Sequence, residues 1–447
     1  MTMMKDIRYI MMCMAVAAIA LAGCSRFEEE DLFAESAALR IEHNSDKLQE
    51  ILVNAPYGWV MQYYTGDGVS IFEGFNLFAK FEKSGKVTMA GNHRFLRDGN
   101  AGKYTEASSL YELILEDGLV LAFNTWNDVL TPFVDPVAFW AAPKTLLKDG
   151  EGMQGDQNLV VTSMSENELL FRGERYDANI RMVKADRDWK TYIEDTDAMK
   201  SRIANSVITT YYITDGDTTM YFSGLRGGRY LYCERLVNPL KRDSLSCCFT
   251  PTGFRNESVD TIGTHTFQEF KLNEDGSALV NEDGSVKVIA TWDNYIVNAR
   301  NNTWNFDMDN FSDEQKTLLE QIDAELTKFN KNYSLAQVGL GRSSGSGAVR
   351  GLVVTFYTNT AKTKTNTAGL SLTSELQAMG QMKISYSEDE KTDKNLSNIA
   401  SKSDVETLVR QFAATLSGTY DMIPNDYFLP TGCELHAVDS DRNYILK

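Results

Sequence analysis

Catalytic machinery is hard to assemble from what this sequence offers. It has four histidines in 447 residues, His43, His93, His265 and His436. None stands in the H-E-x-x-H spacing that turns two imidazoles to one helix face for zinc, and His43 and His93 read as ordinary surface residues. Positive charge is short: 44 Lys and Arg face 62 Asp and Glu, for a formal net charge of −18. Without a basic stripe the chain has nothing with which to release counterions from phosphates, which excludes nucleic acid as a partner and argues against electrostatic docking on anionic lipid. Beyond the first two dozen residues no apolar run approaches the ~20 residues that span a bilayer. Gly341-Arg342-Ser343-Ser344-Gly345 spells G-x-S-x-G, but it follows a helix pattern and precedes a strand, the reverse of a nucleophile elbow. A flexible Ser/Gly loop accounts for it. Cys433-Glu434-Leu435-His436 has a zinc-like C-x-x-H spacing, yet residues three apart on a strand point to opposite faces.

What the chain does have begins at its N-terminus. Lys5 and Arg8 precede an apolar stretch, Tyr9 to Ala22, that is too short for an ordinary transmembrane helix. With the small residues that follow, these are the parts of a secretory signal. Leu21-Ala22-Gly23-Cys24 resembles a bacterial lipobox, in which the chain is cut before the cysteine and the thiol is acylated. Each buried CH₂ contributes ~0.8 kcal/mol, so several acyl chains on Cys24 give a stable anchor. No cofactor besides that covalent lipid is expected. Glu28-Glu29-Glu30-Asp31 extends by self-repulsion as a tether and resembles the export signal of surface lipoproteins in the Bacteroidota. Ser25 does not match the Asp that retains many lipoproteins at the inner membrane. The expected location is the outer membrane, on its outward face.

Of six cysteines, Cys13 leaves with the signal and Cys24 carries lipid, so Cys233, Cys247, Cys248 and Cys433 remain. The location permits disulfides, and four cysteines allow three pairings. One bridge from Cys233 to Cys247 or Cys248 across a hairpin stands against a set of buried free thiols.

Periodicity divides the mature chain into two β-rich parts. A helix pattern over 36–55, with Ile41, Leu48, Ile51 and Leu52 near one face, ends at Pro56 and Gly58. Short strands follow, with tight turns at Ser84-Gly85 and Asp117-Gly118. A second helix pattern near 197–206 opens the other part, in which NEDGS occurs twice at a spacing of eight and marks two successive turns. "GLVVTFYTNT" at 351–360 echoes "GLVLAFNTWN" at 118–127, suggesting two related modules. Ser312 and Gln315 form a capping box for a helix over 312–329, and a further helix is expected over 403–416. The predicted organisation is a signal peptide (1–23), a lipidated tether (24–35), a helix-plus-meander module (36–195) and a β-rich module (196–447) with the inserted helix 312–329.

Two clusters are candidate sites. Residues 123–140 carry Phe123, Trp126, Phe133, Phe139 and Trp140 among Asn and Asp, and aromatic faces stack on sugar rings or anchor protein partners. The same rings also suit the cap of a meander's core. Asp307, Asp309 and Asp313 form an oxygen-rich group of the kind calcium favours, without the Gly and closing Glu of an EF-hand loop. They equally suit a helix N-terminus.

The lipobox and acidic tail, "NAPYGWVMQYY", "FEGFNLFAKFEKSGKVTM" and "LAFNTWNDVLTPFVDP" together resemble the Bacteroidota lipoproteins of domain-of-unknown-function family 4302, most clearly over 32–195. The resemblance implies a surface or periplasmic lipoprotein, often encoded near outer-membrane nutrient-uptake systems and metallopeptidases. It supplies no catalytic residues. These readings predict an α+β protein of two antiparallel meander modules, open or barrel-like, each preceded by a helix. Its expected role is non-catalytic binding of a glycan, a peptide or an uptake-system protein. A carboxylate- or cation-dependent surface hydrolase and a purely structural partner in an outer-membrane assembly are the rivals. Cys24→Ala is expected to abolish acylation and release the protein from the membrane fraction, read by palmitate labelling and fractionation; a variant that stays firmly membrane-bound would refute the anchor.

Overall fold

The computed structural model describes residues 37–65, 73–115, 118–135, 153–205, 210–223, 231–234, 242–290, 303–344, 346–378 and 380–447. Cys24, the tether, Phe139 and Trp140 lie outside them.

The protein is α+β, and alternation of inward and outward side chains rolls its first half into a closed eight-stranded antiparallel barrel. Helix α1 (Ala37–Val53) leads into β1 (Trp59–Tyr64), β2 (Phe75–Phe81), β3 (Lys86–Gly91), β4 (Thr105–Leu115) and β5 (Leu119–Phe123). A four-residue helix, α2 (Thr131–Val134), precedes β6 (Asn158–Met164), β7 (Glu168–Gly173) and β8 (Asn179–Lys184). Strand order follows the chain, and β1 closes the ring by pairing with both β2 and β8. Every second residue turns inward: Trp59, Met61 and Tyr63 of β1 meet Leu77, Phe171 and Met182 in one core. An eight-stranded barrel is just wide enough for side chains to fill, and large rings fill this one.

Both ends are stoppered. At one, Leu48, Ile51 and Leu52 of α1 join the core, and Trp59 Nε1 donates to Leu52 O at 3.0 Å. At the other lie Phe95, Val129, Leu130 and Phe133. A buried carboxylate fastens this second end. Tyr63 donates its hydroxyl to Asp156 O at 2.7 Å. Asp156 Oδ1 accepts the Arg175 N–H at 2.9 Å, and Oδ2 accepts those of Tyr176 at 3.0 Å and Ala178 at 3.2 Å. Three amides thus replace water around a carboxylate that is only 3% exposed. The fit leaves no room for a side chain at Gly173, where a Cβ would sit 1.8 Å from Asp156 Oδ2.

Helix α3 (Trp189–Ile203) starts where the Asp188 side chain accepts the Thr191 N–H. It lies outside the barrel, with Trp189, Tyr192 and Ile193 against Val60 and Phe78. The sequence predicts this helix at 197–206; it begins eight residues earlier because its buried face is supplied by Trp189 and Tyr192, which pack on the barrel wall.

The chain then forms β9 (Thr210–Thr214), β10 (Thr219–Ser223), β11 (Leu231–Glu234), β12 (Arg242–Leu245), β13 (Cys247–Thr250), β14 (Gly253–Ile262), β15 (His265–Leu272), β16 (Leu279–Val280) and β17 (Lys287–Ala290). They make one curled antiparallel sheet in the order β12-β11-β10-β9-β17-β16-β15-β14-β13. The NEDGS repeats that bracket β16 form matching turns. Gly276 and Gly284 have φ of +72° and +73°, and the Asp275 and Asp283 side chains each accept a Ser N–H at 2.9 Å.

Next come β18 (Thr303–Asn305), α4 (Asp313–Phe329), β19 (Ser334–Arg342), β20 (Arg350–Tyr357) and β21 (Thr365–Ser371), whose strands form a four-stranded sheet. A five-stranded sheet is built from β22 (Thr373–Ala378), β23 (Gln381–Ser385), β24 (Gly418–Pro424), β25 (Cys433–Ala437) and β26 (Asn443–Leu446), with α5 (Lys394–Ala400) and α6 (Val405–Thr415) inserted after β23. The Ser312–Gln315 capping box is present. Helix α5 has no counterpart in the sequence reading. Leu319, Ile322, Val409, Phe412, Tyr211 and Phe254 belong to a single core, so these sheets and helices share one interior. The echoed segments 118–127 and 351–360 fall on β5 of the closed eight-stranded barrel and on β20 of the four-stranded sheet, in both of which the strands follow chain order.

Barrel and curled sheet are joined by backbone. Gly74 N–H donates to Cys247 O at 3.0 Å, Asn76 Nδ2 to Phe249 O at 2.7 Å, and Tyr64 Oη to Arg255 O at 2.9 Å. Asp156→Ala is expected to cost about 2–4 kcal/mol, since it leaves three backbone amides without their acceptor, that of Ala178 buried; denaturant unfolding that shows less than ~1 kcal/mol would remove Asp156 from this role.

Candidate functional site

The aromatic segment after β5 divides sharply. Phe123 and Phe133 are fully buried, and Phe133 packs 4.8 Å from Phe75, 5.5 Å from Tyr63 and 4.6 Å from His93, centroid to centroid. The expectation that Phe133 joins a surface platform is corrected: α2 turns its ring into the stoppered barrel end. Trp126 is the ring of this segment that reaches solvent among the described residues, at 48% exposure.

Its neighbours hold it there. Trp126 Nε1 donates to Asp128 Oδ1 at 2.6 Å, and the Arg97 guanidinium carbon lies 4.7 Å from the indole centroid. The next residue, Asn127, is buried and serves as the pin of the loop. Its Nδ2 donates to Ser109 Oγ at 3.0 Å, and its Oδ1 accepts the Val129 N–H at 3.0 Å. Leu110, also exposed, is tied to the same loop by its N–H, which donates to Thr125 Oγ1 at 2.8 Å. The result is a fixed apolar and cationic surface at the end of a rigid barrel.

Behind it sits a residue whose place the sequence did not reveal. His93 is not a surface histidine but is 7% exposed. Its Nε2 lies 2.9 Å from Val129 O, and its Nδ1 accepts the Phe95 N–H at 3.3 Å. That pairing assigns the proton to Nε2 and leaves no acceptor for a second one. Burial lowers its pKa from 6.5 to about 4, opposed by the Val129 carbonyl. The signal was missing because the burying group, Phe133, is forty residues away in sequence.

The other candidates are placed apart from this surface. Asp307 Oδ2 accepts from Lys447 Nζ at 2.6 Å and Oδ1 from the Asp309 N–H at 3.3 Å, while Asp313 opens α4. Among the described residues no three His, Cys, Asp or Glu side chains converge as metal ligands. Cys247 and Cys248 are buried free thiols; the side chain of Cys233, their candidate partner, lies outside the described ones. Burial pushes Cys247 and Cys433 up to about 12, and Cys248 higher still, which keeps them protonated and unreactive. On β25 Cys433 faces the core, while His436 faces outward and meets Glu434 Oε2 at 2.8 Å.

A family model described as a domain of unknown function, DUF4302, matches residues 29–274. The chain belongs to that family. The matched stretch takes in the barrel, α3 and the curled sheet as far as the first NEDGS turn. None of the curated proteins matches. Among solved structures, an uncharacterized protein from Bacteroides eggerthii is similar over 28% of this chain and 96% of its own, at 14% identity and a TM-score of 0.17. A DNA polymerase sliding clamp from Pseudomonas aeruginosa is similar over 91% of this chain and 96% of its own, at 9% identity and a TM-score of 0.13. Scores this low establish no common fold.

His93 sets an acid limit on stability. Below pH 6.5 an unfolded chain takes up a proton that the folded chain refuses until about pH 4. Stability is therefore complete above that window and falls by about 3 kcal/mol as pH drops through it. Urea unfolding between pH 7 and 4 measures the slope, and His93→Gln is expected to flatten it; an unchanged slope would clear His93.

Proposed function

We propose that the chain is an outer-membrane-anchored lipoprotein of the Bacteroidota that acts without catalysis, as a binding or accessory component of a system that takes up glycans or peptides. The observation that carries this reading is Trp126, half exposed with its edge hydrogen-bonded to Asp128 and its face beside Arg97. Trp and Arg are the residues most enriched at binding hot spots, and a ring held in advance loses little entropy on contact. The lipobox at Cys24 and the acidic tether support the location. No described helix is long and apolar enough to cross a membrane, a search that says nothing of strands. The stoppered barrel supports an outer-surface contact over a ligand in the lumen.

The test takes the chain from Ser25 onwards and measures binding to polysaccharides, peptides and detergent-extracted outer membrane, with and without Ca²⁺. Trp126→Ala is expected to weaken the contact about tenfold or more with the melting temperature nearly unchanged. Binding indifferent to Trp126 would remove the surface from the reading. Turnover of a bound polymer, lost with EDTA or with a single Asp or Glu substitution, would replace it with the hydrolase.

A further inference from the structure

The last part of the chain holds a groove to which the barrel contributes nothing. Its volume is ≈ 560 Å³, within the range of about 300–1,000 Å³ typical of small-molecule sites. It opens between the 3-10 turn Met308–Asn310, the start of α4 and the β25–β26 hairpin. Its polar wall comprises Glu434, His436, Asp441, Arg442, Asn443 and Asn310. Its base is made by Phe311 and Tyr444, both more than nine-tenths buried.

Three observations define what the groove offers. First, Arg442 is a fixed cation. Its Nε donates to Ser440 Oγ at 3.0 Å, Nη1 to Thr415 O at 2.5 Å and Nη2 to Ser417 O at 3.2 Å, and among the described residues no carboxylate pairs with it. Second, the side chains of Asp441, Asn443 and Asn310 make no hydrogen bond within the described protein, so their donors and acceptors are available to a ligand. Third, the base is rigid. Gln315 is 3% exposed, and its Nε2 donates to Tyr444 Oη and to Thr415 Oγ1, each at 2.9 Å, while its Oε1 accepts the Ser312 N–H at 3.2 Å. Glu434 and His436 are held side by side at 2.8 Å.

Charges of both signs line the wall, so neither a simple anion nor a simple cation is favoured. Carboxylates, carboxamides and a guanidinium are all planar groups that can engage two neighbouring polar atoms at once. The ligand that matches such a wall is neutral and carries adjacent groups that both donate and accept. We propose that this groove is a binding site for a neutral saccharide, with Asp441, Asn443 and Asn310 bonding vicinal hydroxyls and Arg442 donating to a ring or hydroxyl oxygen. Phe311 and Tyr444 present too little surface for a ring to stack, so recognition rests on hydrogen bonds. This site is separate from the Trp126 surface and stands or falls without it.

The test uses the full mature chain and saturation-transfer NMR with calorimetry. The probes are a panel of neutral mono- to trisaccharides, including maltotriose, mannotriose and xylotriose, with glycylglycine and citrate as a zwitterion and an anion. At least one saccharide is expected to bind, and the double substitution Asp441→Asn with Asn443→Ala to weaken it about tenfold or more at an unchanged melting temperature. Trp126→Ala is expected to leave it unchanged. Absence of binding across the panel, binding insensitive to the double substitution, loss with Trp126→Ala alone, or displacement by glycylglycine or citrate would each overturn the proposal. Asn310→Ala serves as a second variant if the double substitution fails to fold; a saccharide affinity that it leaves intact counts against the site.

Discussion

Strand β1 has no free side. All six residues of β1, Trp59–Tyr64, are buried. Trp59, Met61 and Tyr63 fill the barrel; Val60 lies under α3; Tyr64 reaches the curled sheet. Gln62, on the same outward face, accepts from Arg181 Nη1 at 3.2 Å, and Arg181 in turn pairs with Glu269 of β15 at 3.6 Å. The ladders of β1 to β2 and β8 close the barrel. Barrel, flanking helix and second sheet therefore all depend on a single six-residue segment, and a slip of one residue in its register would exchange every inward and outward contact.

That dependence makes the molecule a stiff base for surfaces placed elsewhere. Trp126 sits on a loop pinned by Asn127 to β4, at the barrel end that Phe133 and Asp156 seal. The saccharide groove lies in the part built from 303 onward, whose helices and sheets share an interior with the curled sheet. Each surface is formed by loops or strand ends that rest on a buried core. Binding groups positioned this way lose little freedom on contact.

Among the described residues, several side chains capable of chemistry are instead used to hold the chain together. His93 is neutral between a carbonyl and an amide; Asp156 is solvated by three backbone N–H groups; Cys247, Cys248 and Cys433 are thiols kept protonated by burial. Polar groups in a core must find partners, because leaving one unpaired costs ~1–3 kcal/mol. Here those partners are backbone atoms, which satisfy a side chain without preparing it for chemistry.

Local pattern reached a long way into this fold. Alternation marked the barrel strands, the S-x-x-Q spacing marked the cap of α4, and the NEDGS repeats marked two turns, because each is decided by neighbours within a few residues. Family, antiparallel β architecture and the aromatic segment were legible for the same reason. Three things were not. The early start of α3 depends on Trp189 and Tyr192 finding the outer wall of the barrel. The division of one aromatic stretch into a buried Phe133 and an exposed Trp126 depends on where the barrel closes. The groove beside Arg442 depends on β26 returning to a helix that began more than a hundred residues earlier. Sequence determined which residues alternate, cap and turn; only the closed sheet decided which of their faces met another surface and which met water, since burial is a property of distant segments brought together.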